Sequence, residues 1–230
     1  MAMTTWRYDY EDLPALLERL DGDEKHEPSA HSTLDVLWVL YRRFLNVDAA
    51  APEWPERDRF LLSKGHGPMA YYAVLAAAGF FDGGALDSFG SFDSTLGHHP
   101  DRNLVPGVEL ASGSLGHGLS IAVGMSLALR AQQNETSRVV CLLGDAEFDE
   151  GSNHEAMALA GRFGLERLIA IVVDNRSATY GWPGGIAARF AVEGWTTATV
   201  PGRDHDAIES ALHAGERGRP HVVVAEVEAK

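Results

Sequence analysis

The chain of 230 residues has one cysteine, Cys141, so it forms no intrachain disulfide. Cys141 lies in an apolar run that reads as a buried strand, which makes it a core residue and not a redox or nucleophilic one. Basic residues are scarce: 19 Lys and Arg stand against 33 Asp and Glu, a formal charge of −14. A protein that binds nucleic acid non-specifically needs a basic face toward the phosphates, so that class is excluded. No apolar run approaches the roughly 18–20 residues of a membrane span. Met1 to Tyr10 carries no apolar segment of the kind a secretory signal requires. The expectation is a soluble, cytoplasmic protein. A nicotinamide-binding Rossmann domain is excluded too, because no Gly-x-Gly-x-x-Gly follows an early strand.

What the chain does have is ordinary globular composition, 45% hydrophobic and 23% charged. Neither repeats nor low-complexity tracts divide it, and one domain over residues 1–230 is expected. Leucines at helical spacing mark a helix over 11–20, followed by a polar connector over 21–29. Ser32 reads as the N-cap of an apolar helix running to Leu45. A strand over 59–62 runs into Ser63-Lys64-Gly65-His66-Gly67, and a helix over 68–78 has Pro at its start and Gly79 beyond its end. Residues 88–109 form a long loop, which in a compact domain suggests function. A helix rich in small residues covers 113–130. Strands over 138–143, 168–173, 197–200 and 221–226 then alternate with helices over 151–163, 186–192 and 204–215. Apolar strands alternating with helices specify an α/β fold, a doubly wound parallel sheet with helices on both faces. Ligands of such sheets bind beyond the carboxyl ends of the strands.

Two strand ends carry the chemistry. Leu142-Leu143-Gly144-Asp145 delivers a carboxylate, and Val172-Val173-Asp174-Asn175 delivers an amide. A hard cation such as Mg²⁺ takes oxygen ligands, one or two of them carboxylate and the rest from phosphate and water. Asp145, Asn175 and a nearby carbonyl supply that set; the competing reading makes Asp145 the N-cap of the helix that follows.

The motifs resemble those of the transketolase family. Gly144-Asp145-Ala146-Glu147, Glu150-Gly151, His154-Glu155-Ala156 and Asp174-Asn175 are similar to its thiamine-diphosphate motif, which begins Gly-Asp-Gly and ends in Asn. Ser63-Lys64-Gly65-His66 is similar to the Ser-x-Gly-His segment. His99-Pro100, Pro106-Gly107-Val108-Glu109 and Gly113-Ser114-Leu115-Gly116-His117-Gly118 resemble the block that runs from His-Pro to Gly-Pro-Leu-Gly-Gln-Gly. Ala30-His31-Ser32 falls where the family has an active-site Gly-His, and Gly194-Trp195 with Arg203-Asp204 resembles its Gly-Trp and Gly-His-Asp. The match runs in order from about residue 28 to 226.

This resemblance implies the thiamine-diphosphate-binding fold, in its diphosphate domain. It implies that Asp145, Asn175 and the carbonyl of Ser177 hold Mg²⁺ or Ca²⁺. Gly113, Leu115, Gly144 and His66 would contact thiamine diphosphate. His31, His66 and His99 would line the channel and move protons, a task suited to a side chain that titrates near neutrality. Glu150 would sit at the subunit contact beside the cofactor. With a charge of −14, the positive potential for a diphosphate must come from the metal and from backbone N–H groups. Ala146 stands where the family has Gly, a substitution expected to crowd the diphosphate or strain the backbone. Ser114 and His117 replace Pro and Gln; His98 and His99 compete for one place; Tyr180-Gly181-Trp182 is expected to pack on the cofactor or on a partner.

The pyrimidine-binding domain of the family is expected not on this chain but on a separate C-terminal transketolase-like subunit in an α2β2 assembly. The implied function is two-carbon ketol transfer between a ketose and an aldose, with a sugar or sugar phosphate as substrate. The alternatives are an α-like subunit of a 2-oxo-acid dehydrogenase and a non-catalytic cofactor-binding subunit.

Overall fold

The computed structural model describes residues 6–21 and 27–229, with the side chains of 27–29 left out. Five strands form one sheet in the order β1-β2-β3-β5-β4, and every pair is parallel. They are β1 (Arg59–Leu62), β2 (Val139–Gly144), β3 (Leu168–Asp174), β4 (Thr196–Pro201) and β5 (His221–Glu226). All six residues of β2 are buried, as a strand covered on both faces must be.

The period of two sorts the sheet's side chains into two cores. On one face Phe60, Val140, Leu142, Ile171, Val173 and Val223 meet α1 (Leu13–Leu17), α2 (Glu27–Val39), α3 (Met69–Ala77) and α7 (His205–Leu212). On the other, Leu61, Cys141, Leu143, Ala170, Val172 and Val224 meet α4 (His117–Ala131), α5 (Gly151–Phe163) and α6 (Gly185–Val192). The doubly wound α/β fold expected from the sequence is present. Every residue of α3 is buried, so its position between sheet and loops is fixed on all sides. Asp204 caps α7 by accepting from the N–H groups of Asp206 and Ala207. Cys141 is buried, and burial pushes its thiol well above its ordinary pKa, as an inert core residue requires.

Several boundaries move. Ser32 is not an N-cap: α2 starts at Glu27, and Ser32 lies buried inside it, its Oγ accepting from Lys64 Nζ at 3.2 Å. The helix continues as a π-helical turn over Leu40–Phe44 instead of ending cleanly. Residues 11–20 divide into a 3-10 turn, Tyr10–Asp12, and α1, because Pro14 opens a new first turn. Part of the polar connector, 22–26, lies outside the described residues, and the rest is mostly α2. The small-residue helix begins at His117 and not at Gly113, since Gly113 and Gly116 have positive φ, 147° and 85°. Among the described residues no helix is long and apolar enough to cross a membrane.

Candidate functional site

The register Gly144↔Val173 brings the carboxyl ends of β2 and β3 together. Beyond β2 the chain turns into a 3-10 segment, Asp145–Asp149, whose N-cap is Gly144; the N-cap of α5 is Glu150. Asp145 therefore caps neither, and the N-cap reading is overturned. Its carboxylate is buried and faces the segment after β3. Oδ2 accepts the N–H groups of Ser177 (2.5 Å) and Ala178 (2.9 Å), and Oδ1 accepts Ser177 Oγ (2.7 Å).

Asn175 is also buried, yet its Oδ1 has no hydrogen-bond partner. A buried acceptor left unpaired costs about 1–3 kcal/mol, so such atoms are rare without a ligand to meet them. Among the described residues there is no group of three or more His, Cys, Asp or Glu able to hold a metal. Asp145 and Asn175 would give a cation here a carboxylate and an amide oxygen, with main-chain oxygen nearby, and phosphate and water would be needed to complete its shell. That donor set fits Mg²⁺.

Glycines bring three segments into contact around these tips. A Cβ on Gly113 would lie 2.5 Å from His99 Cδ2, and one on Gly116 would lie 2.7 Å from Glu150 Cβ. Gly65 packs as tightly on Ser112 and Gly113, and Gly118 on Ser63. Glu147, which the sequence reading passed over, ties the same segments together. Its Oε1 accepts from Ser63 Oγ (2.6 Å) and Gly116 N (3.1 Å), and its Oε2 from Gly144 N (3.0 Å). Burial pushes the Glu147 carboxyl up, against the pull of those donors and of Lys64. A Glu in a polar stretch gives no sequence signal of burial; only the fold turns it inward. Ala146 lies in the 3-10 segment and is not among the residues of positive φ, so the expected backbone strain is absent.

The two adjacent histidines part. The His99 ring lies against Gly113, while the His98 ring packs on Phe89 (centroids 5.2 Å apart) and faces Gly90. His66 is half-buried; His31 and His99 are exposed, as is Glu150, and Leu115 is half-buried. The carbonyl of His31 accepts from Arg203 Nη1 at 2.7 Å. Arg203 in turn meets Asp35 (2.7 Å) and Glu228 (2.7 Å). Burial pulls the Asp35 carboxyl upward, but hydrogen bonds from Tyr10, Arg203 and His205 outweigh it and leave it below the usual range. The aromatic loop turns inward at one point: the Trp182 ring packs against His154 with centroids 4.7 Å apart and the planes tilted by 56°, while Tyr180 is exposed.

Residues 21–227 match the family model described as "Transketolase, thiamine diphosphate binding domain". A protein of Rhodococcoides fascians named "Ferredoxin fas2" is 55% identical over 220 residues, which are 96% of this chain and 72% of that protein. The "6-deoxy-6-sulfo-D-fructose transketolase subunit SqwG" of Clostridium sp. (strain MSTE9) is 36% identical over 207 residues, 86% of this chain and 75% of that one. The solved transketolase from Leishmania mexicana superposes with a TM-score of 0.79 at 25% identity, over 95% of this chain. The chain spans 36% of that transketolase's length.

Proposed function

The chain belongs to the transketolase family of thiamine-diphosphate-binding domains, and from that premise we propose that it is the diphosphate-holding half of a two-chain ketol transferase. The reaction is transfer of a two-carbon ketol unit from a ketose to an aldose, with thiamine diphosphate and Mg²⁺ as cofactors. The observation that carries this reading is the unpaired, buried Oδ1 of Asn175 one strand away from the Asp145 carboxylate.

In this reading Asp145, Asn175 and the Ser177 carbonyl hold the cation. Gly113, Leu115, Gly144 and His66 would contact the diphosphate or the rest of the cofactor. When bound, thiamine diphosphate supplies the electron sink for cleavage of the carbon–carbon bond. The chain's own part is to orient the substrate and move its hydroxyl protons through His31, His66 and His99. Exposure of His31 and His99 supports a channel closed by a second polypeptide. A pyrimidine-domain chain in an α2β2 assembly fits that role, and Glu150 would lie at the contact. The relative SqwG, 75% of which this chain covers, is itself named a subunit.

Mixing the chain with a pyrimidine-domain transketolase subunit tests the proposal: ketol transfer in the mixture and none in either part is expected. Full turnover by this chain alone would refute it. The name of the Rhodococcoides relative favours a second reading, in which electrons pass to an iron–sulfur carrier. Such clusters are held by several cysteines, and the one cysteine here is buried in β2, so the matched residues do not hold one. Turnover that required an oxidised ferredoxin would favour this reading over ketol transfer.

A further inference from the structure

Five consecutive backbone N–H groups after β3 donate to carboxylates. Arg176 donates to Asp174 Oδ1 (3.0 Å), Ser177 and Ala178 to Asp145 Oδ2, Thr179 to Asp149 Oδ2 (2.9 Å) and Tyr180 to Asp149 Oδ1 (3.1 Å). This stretch has no helix or strand of its own, so the three side chains take the place of a backbone ladder. It also contains Arg176 at φ 58°, a left-handed conformation that a non-glycine residue keeps only where its surroundings hold it.

The three carboxylates differ in what else they do. Asp174 takes a single N–H at the strand end, and Asp145 is assigned above to the cation. Asp149 lies outside that cation set, and both its oxygens are committed to the loop. Resting on the function proposed above, we propose that Asp149 is a positioning residue: it latches the loop that bears Asn175 and Ser177, and thereby sets the affinity of the site for the cation and diphosphate. The latch anchors the loop to the 3-10 segment that begins at Asp145, so the two assigned cation ligands in the loop after β3 are registered against the one that follows β2. Just beyond, the Trp182 ring against His154 fixes the far end of the same loop to α5.

Asp149 is half-buried, and Thr179 and Tyr180 are exposed, so water can take over the freed N–H groups and the fold survives the loss. The test is Asp149→Ala, read in two ways on the chain paired with a pyrimidine-domain subunit. Amide hydrogen exchange should rise at Thr179 and Tyr180 while β2 and β3 keep their protection. Affinity for Mn²⁺ in the presence of thiamine diphosphate, followed by the electron paramagnetic resonance of free Mn²⁺, should fall about tenfold or more, as for residues that orient metal ligands. Asp149→Asn keeps one acceptor oxygen and should fall between; it carries the test if the alanine variant loses protection throughout β2 and β3. Unchanged exchange at the two amides overturns the latch, and so does lost protection with unchanged Mn²⁺ affinity. A wild-type pair that takes up no Mn²⁺ counts against the proposed function instead, and the exchange pattern still decides whether Asp149 holds the loop.

Discussion

Glu147 joins three separate segments through one buried carboxylate, and its conversion to Gln is predicted to be costly. An amide has one oxygen and one NH₂, so at least one of the donors from Ser63, Gly116 and Gly144 would face another donor. Leaving such a group unpaired costs about 1–3 kcal/mol, measurable by urea unfolding. Wild-type stability with the Gln variant would show that the carboxylate is not needed there. His221 makes a separate prediction. Its ring is buried, with Nε2 2.9 Å from the Ala211 carbonyl and Nδ1 2.8 Å from Thr196 Oγ1. Burial lowers its pKa below the ordinary histidine value, while the carbonyls of Ala211 and Thr196 oppose the shift. The unfolded chain therefore holds a proton on this ring that the folded chain has released. Stability should rise with pH through the range just below the ordinary histidine pKa, and be lost as pH falls through the folded value. His221→Gln should flatten that part of the unfolding profile; an unaltered slope would assign it to other groups.

At the scale of elements, the loops that frame the site are held together by glycines. Gly116 has φ 85°, and a Cβ there would also press on Glu150 and Ser152. Gly116→Ala is predicted to cost about 1–3 kcal/mol, the usual penalty of forcing a side chain into a left-handed backbone, with cofactor affinity falling alongside. A thermal melt and a thiamine diphosphate titration of the same variant check both. The parallel sheet was legible because β2, β3 and β5 are unbroken apolar runs, and a strand buried on both faces leaves that mark. The start of α2 was not, because Ser32 looks like a cap only until the residues before it are seen to be helical. The motif placed Asp145 and Asn175 at the strand tips correctly. It included Glu147 without showing that the side chain is a buried hub, and it gave no sign of Asp149's role or of the Arg203–Asp35 pair, whose partners lie 168 residues apart in sequence. Periodicity reports which face is apolar; it does not report which polar group will find another across the fold.

For the whole molecule, the function proposed above makes this chain one wall of a site, with the exposed His31 and His99 on the open side. The cation is the test of that wall. Asn175 Oδ1 has no protein partner to lose, so Asn175→Ala should leave the melting temperature of the metal-free chain unchanged or raise it. The decisive measurement is calorimetric titration of thiamine diphosphate with Mg²⁺ into wild type and Asn175→Ala, each paired with a pyrimidine-domain subunit. The account predicts Mg²⁺-dependent binding by wild type and affinity at least tenfold weaker in the variant. Equal affinity in the two, or binding by wild type that is indifferent to Mg²⁺, would contradict it.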